Sequence, residues 1–167
     1  VSALIHIAGE YHYAPEILRA TLTVNERQRQ VVIRKLQQGL KIIKGRTIGL
    51  LGLAFKPDTD DLRDAPSLAI ARSLLEMGAR VKAYDPVAMD DCYRLHPELD
   101  LVYAPTAEEL VTGCDAVVLV TEWEEFRRLD LGHVAELMTG NVFVDGRNVF
   151  DPEVLTRAGL RWAGIGR

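Results

Sequence analysis

Residues 46–67 read RTIGLLGLAFKPDTDDLRDAPS. The run from Thr47 to Leu51 is short, apolar and partly β-branched, as expected of a strand covered on both faces. The connection after it is crowded with charge: Lys56, Asp58, Asp60, Asp61, Arg63 and Asp64 precede Pro66 and Ser67, where a helical pattern begins. From Lys44 onward this alternation recurs. Strand-like runs stand at RTIGLL, RVKAY, LVY, DAVVLVTE, NVFVDG and LRWAGIG, with helical stretches at 66–77, 87–95, 106–112, 130–139 and 152–158. Short strands alternating with helices predict an α/β fold, a doubly wound, Rossmann-like parallel sheet with right-handed crossovers. Its ligand crevice belongs at the carboxyl ends of the strands.

Residues 1–44 follow a different rule. SALIHIAGEY has short helical periodicity, and Pro15 is suited to open a second helix. Apolar positions then recur every three to four residues, at Ile17/Leu18, Thr21/Leu22, Val24, Val31/Val32, Leu36 and Leu40. A helix from Pro15 to about Gln38 would be about 36 Å long. It either packs on its own domain or acts as a spine against a second copy or a neighbouring domain. Asn25 and Gln28 interrupt the stripe, as polar residues do where they fix the register between helices. The expected division is a helical segment over 1–44 and a Rossmann-like unit over 45–167.

The chain has 167 residues, 48% of them hydrophobic and 26% charged, with a formal net charge of -4. One sizeable core is within reach of that length. An acidic balance disfavours nucleic acid or an anionic membrane as a partner. Cys92 and Cys114 share no metal-ligand or Cys-x-x-Cys spacing, so both are read as reduced structural thiols of a cytoplasmic protein. No signal or membrane-spanning pattern is present in the sequence. Val1 is not an initiator methionine, and the chain is expected to be part of a longer polypeptide.

The first strand-to-helix turn of a dinucleotide-binding unit reads G-x-G-x-x-G so that backbone and pyrophosphate can approach. Here it reads Gly49-Leu-Leu-Gly52-Leu-Ala54 and runs on to Pro66, which disfavours a backbone cradle and leaves the work to side chains. Lys56 is a mobile cation and Arg63 a two-pronged donor, either for a ligand's phosphates or simply solvated. Asp58 and Asp60 suit turns, Asp64 and Ser67 flank Pro66 where a helix needs a cap, and Asp61 is placed to orient Arg63. A second loop, DGRN at 145–148, brings Arg147 to the same edge. Asp85 in YDP reads as a turn residue in preference to a ribose ligand. Thr121, Glu122 and Trp123 are either a crevice wall or the start of a helix. His6, His12, His96 and His133 share no pattern, and no nucleophile, base or metal set is visible.

In their order and spacing, GLAFKPDTDDLRDAPS, VKAYDP, DAVVLVTEW and DGRNVFDP resemble the C-terminal domain of the UDP-glucose 6-dehydrogenase family, and NERQ at 25–28 is similar to part of its central helix. The resemblance implies an oxidoreductase that oxidises UDP-glucose to UDP-glucuronate with two NAD through a cysteine thioester. It implies that Phe55, Lys56 and Arg147 hold the UDP-sugar, that Arg63 reaches the NAD diphosphate, and that the long helix forms a homodimer. Family members carry an NAD-binding domain and a glycine-rich cysteine segment ahead of the part matched here. Neither Cys92 nor Cys114 falls in such a segment, so no catalytic residue is assigned and the chain alone is expected to be inactive. The alternative is a non-catalytic Rossmann-like module that associates through its long helix; a self-sufficient NAD enzyme is disfavoured by the missing glycine fingerprint.

Overall fold

The computed structural model describes residues 1–166. Two helices come first, α1 (Ser2–Glu10) and α2 (Glu16–Leu40), followed by β1 (Thr47–Leu51), α3 (Pro66–Glu76), β2 (Arg80–Tyr84), α4 (Met89–Leu95) and β3 (Leu101–Tyr103). The second half contains α5 (Ala107–Val111), β4 (Ala116–Leu119), α6 (Glu124–Arg127), α7 (Leu131–Leu137), β5 (Val142–Asp145), α8 (Pro152–Arg157) and β6 (Arg161–Gly164). All six strands join one parallel sheet in the order β3-β2-β1-β4-β5-β6. The expected doubly wound α/β sheet is therefore present. Its winding reverses between β1 and β4, whose ends, Leu51 and Leu119, lie in register. Such a reversal splays the connecting loops apart and opens a crevice at the carboxyl edge.

Strand periodicity sorts the core into two layers. Ile48 and Leu50 of β1 join Val118 of β4 and Val144 of β5 on the face covered by Val32, Ile33 and Leu36 of α2 and Ile70 and Leu74 of α3. Leu51, Val117 and Phe143 lie on the other face with Leu110, Phe126, Val134 and Leu155 from α5 to α8. Each large side chain taken fully out of water contributes about 1.5–3 kcal/mol before conformational entropy is counted.

The long helix extends two residues further than expected, to Leu40, and Pro15 is its N-cap, one position ahead of the first helical residue. Only its C-terminal part is buried, at Val32, Ile33 and Leu36. Ile17, Leu22 and Val24 are exposed, as are Leu4 and Ile7 of α1. The expected helices shorten by one or two residues at their ends, and the single turn α6 begins after Trp123, where the sequence left a helix start open. Neither Asp64 nor Ser67 caps α3. Its N-cap is Ala65, without a side-chain bond, and Pro66 at the first helical position has no N–H to satisfy.

Candidate functional site

The crevice at the carboxyl edge contains a cavity of about 430 Å³. The loop after β1 contributes Phe55, Lys56 and Asp64; β4 and its loop contribute Val120 and Glu122; the loop after β5 contributes Gly146 and Arg147; and α2 contributes Asn25, Gln28 and Arg29. Lys56 and Arg147, far apart in sequence, thus line one cavity.

Three buried groups hold the β1 loop in place. Asp85 at the end of β2 has no solvent exposure, and its carboxylate accepts hydrogen bonds from the amides of Leu53 (2.7 Å), Ala54 (3.0 Å), Val87 (3.0 Å) and Ala88 (2.9 Å) and from Trp123 Nε1 (3.0 Å). The turn expected of Asp85 is present, but the same carboxylate also fastens β1, β2 and β4 loops together. With every lone pair engaged and no exposure, it has nothing to offer a ribose. Ser67 Oγ donates to Leu53 O, and Thr121 Oγ1 donates to Ala54 O at 2.6 Å. Gly52, at φ +96°, permits the last contact: a Cβ there would stand 2.4 Å from Thr121 Cβ.

Arg147 is held just as firmly. Asp145, buried at the end of β5, accepts from the amides of Arg147 (3.0 Å) and Phe150 (2.9 Å), which turns the chain back over the edge. Arg147 Nε donates to Val120 O at 2.6 Å and Nη2 to Phe55 O at 3.2 Å. Glu122 Oε2 lies 3.0 Å from Nε and makes no hydrogen bond among the described residues, so this contact is one of charge alone. A guanidinium has five N–H donors; the bonds to Val120 and Phe55 leave the rest of the fork for a ligand. Of the three residues left open in the sequence, Thr121 braces the loop, Glu122 lines the cavity and Trp123 both caps α6 and binds Asp85.

Arg63 lies outside the cavity, in a neighbouring depression that shares Asn25, Arg29, Phe55 and Asp64 with it. Its exposed guanidinium is gripped by Asp61, with Nε to Oδ1 at 2.9 Å and Nη2 to Oδ2 at 2.7 Å, as its position in the sequence suggested. Those hydrogen bonds hold the Asp61 carboxyl down at about 2. No bond to the Asp58 or Asp60 carboxylate is found among the described residues. The turn is instead closed by Thr59 Oγ1 and Asp61 Oδ1, which accept from the amides of Asp61 and Arg63, while Asp58 contributes a left-handed backbone at φ 62°.

The thiols of Cys92 and Cys114 are fully buried, and burial raises both above the ordinary thiol range, Cys114 to about 11. Neither suits a nucleophile. No group of three or more His, Cys, Asp or Glu among the described residues is arranged to hold a metal, and no helix there is long and apolar enough to cross a membrane. For a dinucleotide the β1 turn is a poor fit, since Thr121 fills the space beside Gly52 that a pyrophosphate would need and residues 52–65 intervene before α3.

Fold and cavity together define a Rossmann-like domain whose crevice presents side-chain cations in place of a glycine cradle. Residues 49–152 match the UDP-glucose/GDP-mannose dehydrogenase family, UDP binding domain, and the chain belongs to that family. It is 42% identical to a UDP-glucose 6-dehydrogenase of Pseudomonas aeruginosa PAO1 over 174 aligned positions, covering 100% of this chain and 38% of that protein. The enzyme YwqF of Bacillus subtilis strain 168, also a UDP-glucose 6-dehydrogenase, is 37% identical over 99% of this chain and 38% of its own length. A UDP-glucose dehydrogenase structure from Pyrobaculum islandicum superposes with a TM-score of 0.81 at 32% identity, over 98% of this chain and 35% of that one. The chain therefore spans less than two fifths of these relatives.

Sequence reasoning missed Arg29 and the place of Asn25 and Gln28. It read the two amides as breaks in a helical stripe that fix register and, within NERQ, as part of a central helix, and not as lining for a cavity. Their i, i+3 spacing, in phase with Val32 and Leu36, was the available signal.

Proposed function

We propose that this chain grips the UDP moiety within a UDP-glucose 6-dehydrogenase, an enzyme that oxidises the C6 alcohol of UDP-glucose to the carboxylate of UDP-glucuronate. That conversion takes up one water, which supplies the second carboxylate oxygen, and releases two hydrides, which two NAD accept, with the protons going to solvent. The supporting observation is that Lys56 and Arg147 both line one cavity at the switch point. Lys56 supplies a flexible point charge and Arg147 a fixed fork, a pairing suited to a diphosphate. Phe55 covers the ligand's flank. Arg63, held outward by Asp61, would contact the diphosphate of an NAD bound by another part of the longer enzyme. With both thiols buried and no cysteine among the described residues lining the cavity, this chain alone should bind UDP without turnover.

Association through α1 and the N-terminal half of α2 is part of this proposal, supported by the exposed Leu4, Ile7, Ile17 and Val24. Light scattering at several concentrations tests it, a dimer being expected. A cytoplasmic setting accords with two free thiols.

Calorimetric titration with UDP tests the binding role. Lys56→Ala should weaken binding by about 1.5–3 kcal/mol, the range for hydrogen bonds to charged groups. Wild-type affinity in both Lys56→Ala and Arg147→Ala would overturn the assignment.

A further inference from the structure

We propose that Asn25 and Gln28 of α2 form a second recognition wall that binds the neutral, hydroxyl- or imide-bearing part of the ligand; the inference rests on reading the cavity as a UDP-sugar site. Asn25, Gln28, Arg29 and Val32 fall at i, i+3, i+4 and i+7, on one side of the helix. Toward the C-terminus this side enters the core through Val32 and Leu36. Toward the N-terminus it turns polar where it overhangs the sheet edge, and there it borders the cavity.

Arg29 fixes the position of that wall. Its Nη2 donates to Asp64 O at 3.1 Å and its Nη1 pairs with Glu26 at 3.2 Å, so α2 is tied to the loop that carries Lys56. Asn25 and Gln28 have no hydrogen-bond partner among the described residues, although a primary amide offers two donors and an acceptor. The wall carrying Lys56 and Arg147 supplies positive charge for phosphates. Two neutral amides one helical turn apart complement the uncharged remainder, which is either the nucleoside or the hexose. The cavity, at about 430 Å³, lies within the usual range for small-molecule sites.

The test is titration of the whole chain, wild type and Asn25→Ala/Gln28→Ala, with inorganic pyrophosphate, UDP and UDP-glucose. Alanine is the better helix former at both positions, and melting curves check that the fold is kept; the single variants repeat the test should the double variant melt early. The expected result is a loss of about fivefold to tenfold for a nucleotide ligand, with pyrophosphate binding within twofold of wild type. A loss already present with UDP assigns the amides to the nucleoside, and a loss only with UDP-glucose assigns them to the hexose. Unchanged affinity for all three ligands, or an equal loss for pyrophosphate, overturns the inference while the UDP reading stands. Failure of wild type to bind any of them overturns both.

Discussion

Arg147 Nη2 donates to the carbonyl oxygen of Phe55 at 3.2 Å, although the two residues are 92 apart in sequence. The loop after β5 is thereby bonded to the loop after β1, and the residue next to Phe55 is Lys56. A lysine at 147 would keep the charge and lose the fork. Arg147→Lys is therefore expected to weaken UDP binding by about 1.5–3 kcal/mol, measured by calorimetry, with a second effect on protease resistance around residue 55. Wild-type values for both would show that charge alone matters at this position.

Asp85 gathers five donors from three loops. An amide in its place turns an NH₂ group toward some of those donors and removes the charge that strengthens the rest. Asp85→Asn should lower stability by about 3 kcal/mol or more, whereas Trp123→Phe, which removes one donor and keeps most of the ring packing, should cost about 1 kcal/mol. Urea unfolding distinguishes the two.

Gly52 combines φ +96° with a 2.4 Å approach to Thr121. Gly52→Ala incurs both backbone strain and overpacking, so a loss of about 2–4 kcal/mol is expected. A thermal shift in Gly52→Ala no larger than in Gly113→Ala, where φ is +75° but the space is open, would contradict the close-approach argument.

His133 links α7 to α5, with Nε2 3.0 Å from Glu108 Oε1 and Nδ1 3.7 Å from Glu136 Oε2. The hydrogen bond to Glu108 and the nearby carboxylates raise its imidazole above the ordinary value. A raised folded-state value means the stabilising contribution is complete below about pH 6.5, the unfolded value, and is lost as pH climbs through the folded one. The melting-temperature gap between wild type and His133→Gln should accordingly be larger at low pH than in alkaline buffer. Because the pair is solvent-exposed, the gap should be small; a gap that grows with pH would reverse the sign of the argument.

Cys92 and Cys114 are fully buried with raised thiol values. Thiol reagent added to the native chain is expected to label neither, and to label both promptly in denaturant. Fast native labelling of either thiol would reopen its candidacy as a nucleophile.

Strand and helix positions were legible because their causes are local. The β-branched runs at 47–51, 116–119 and 142–145 form strands on any side of a sheet, and Pro66 and Pro152 open helices through their own fixed φ. Charges at 56, 63 and 147 also stood out from their immediate surroundings, as did the pairing of Asp61 with Arg63, two residues apart. Where α3 would be capped was misjudged, since Ser67 bonds to Leu53 across the loop and nothing in the neighbouring residues reveals that partner.

Sequence by itself determined the alternation of elements, and through it the class of fold; it also marked the basic side chains. Lys56 and Arg147 were expected at one edge, but only tertiary structure decided that the amides of α2 line their cavity, and that Asp85 is a fastener with no capacity left for a sugar. The difference is physical. Periodicity and turn chemistry act between residues a few positions apart, whereas the meeting of the β1 and β5 loops depends on strand order and crossover hand, which follow from burying both faces of the sheet at once.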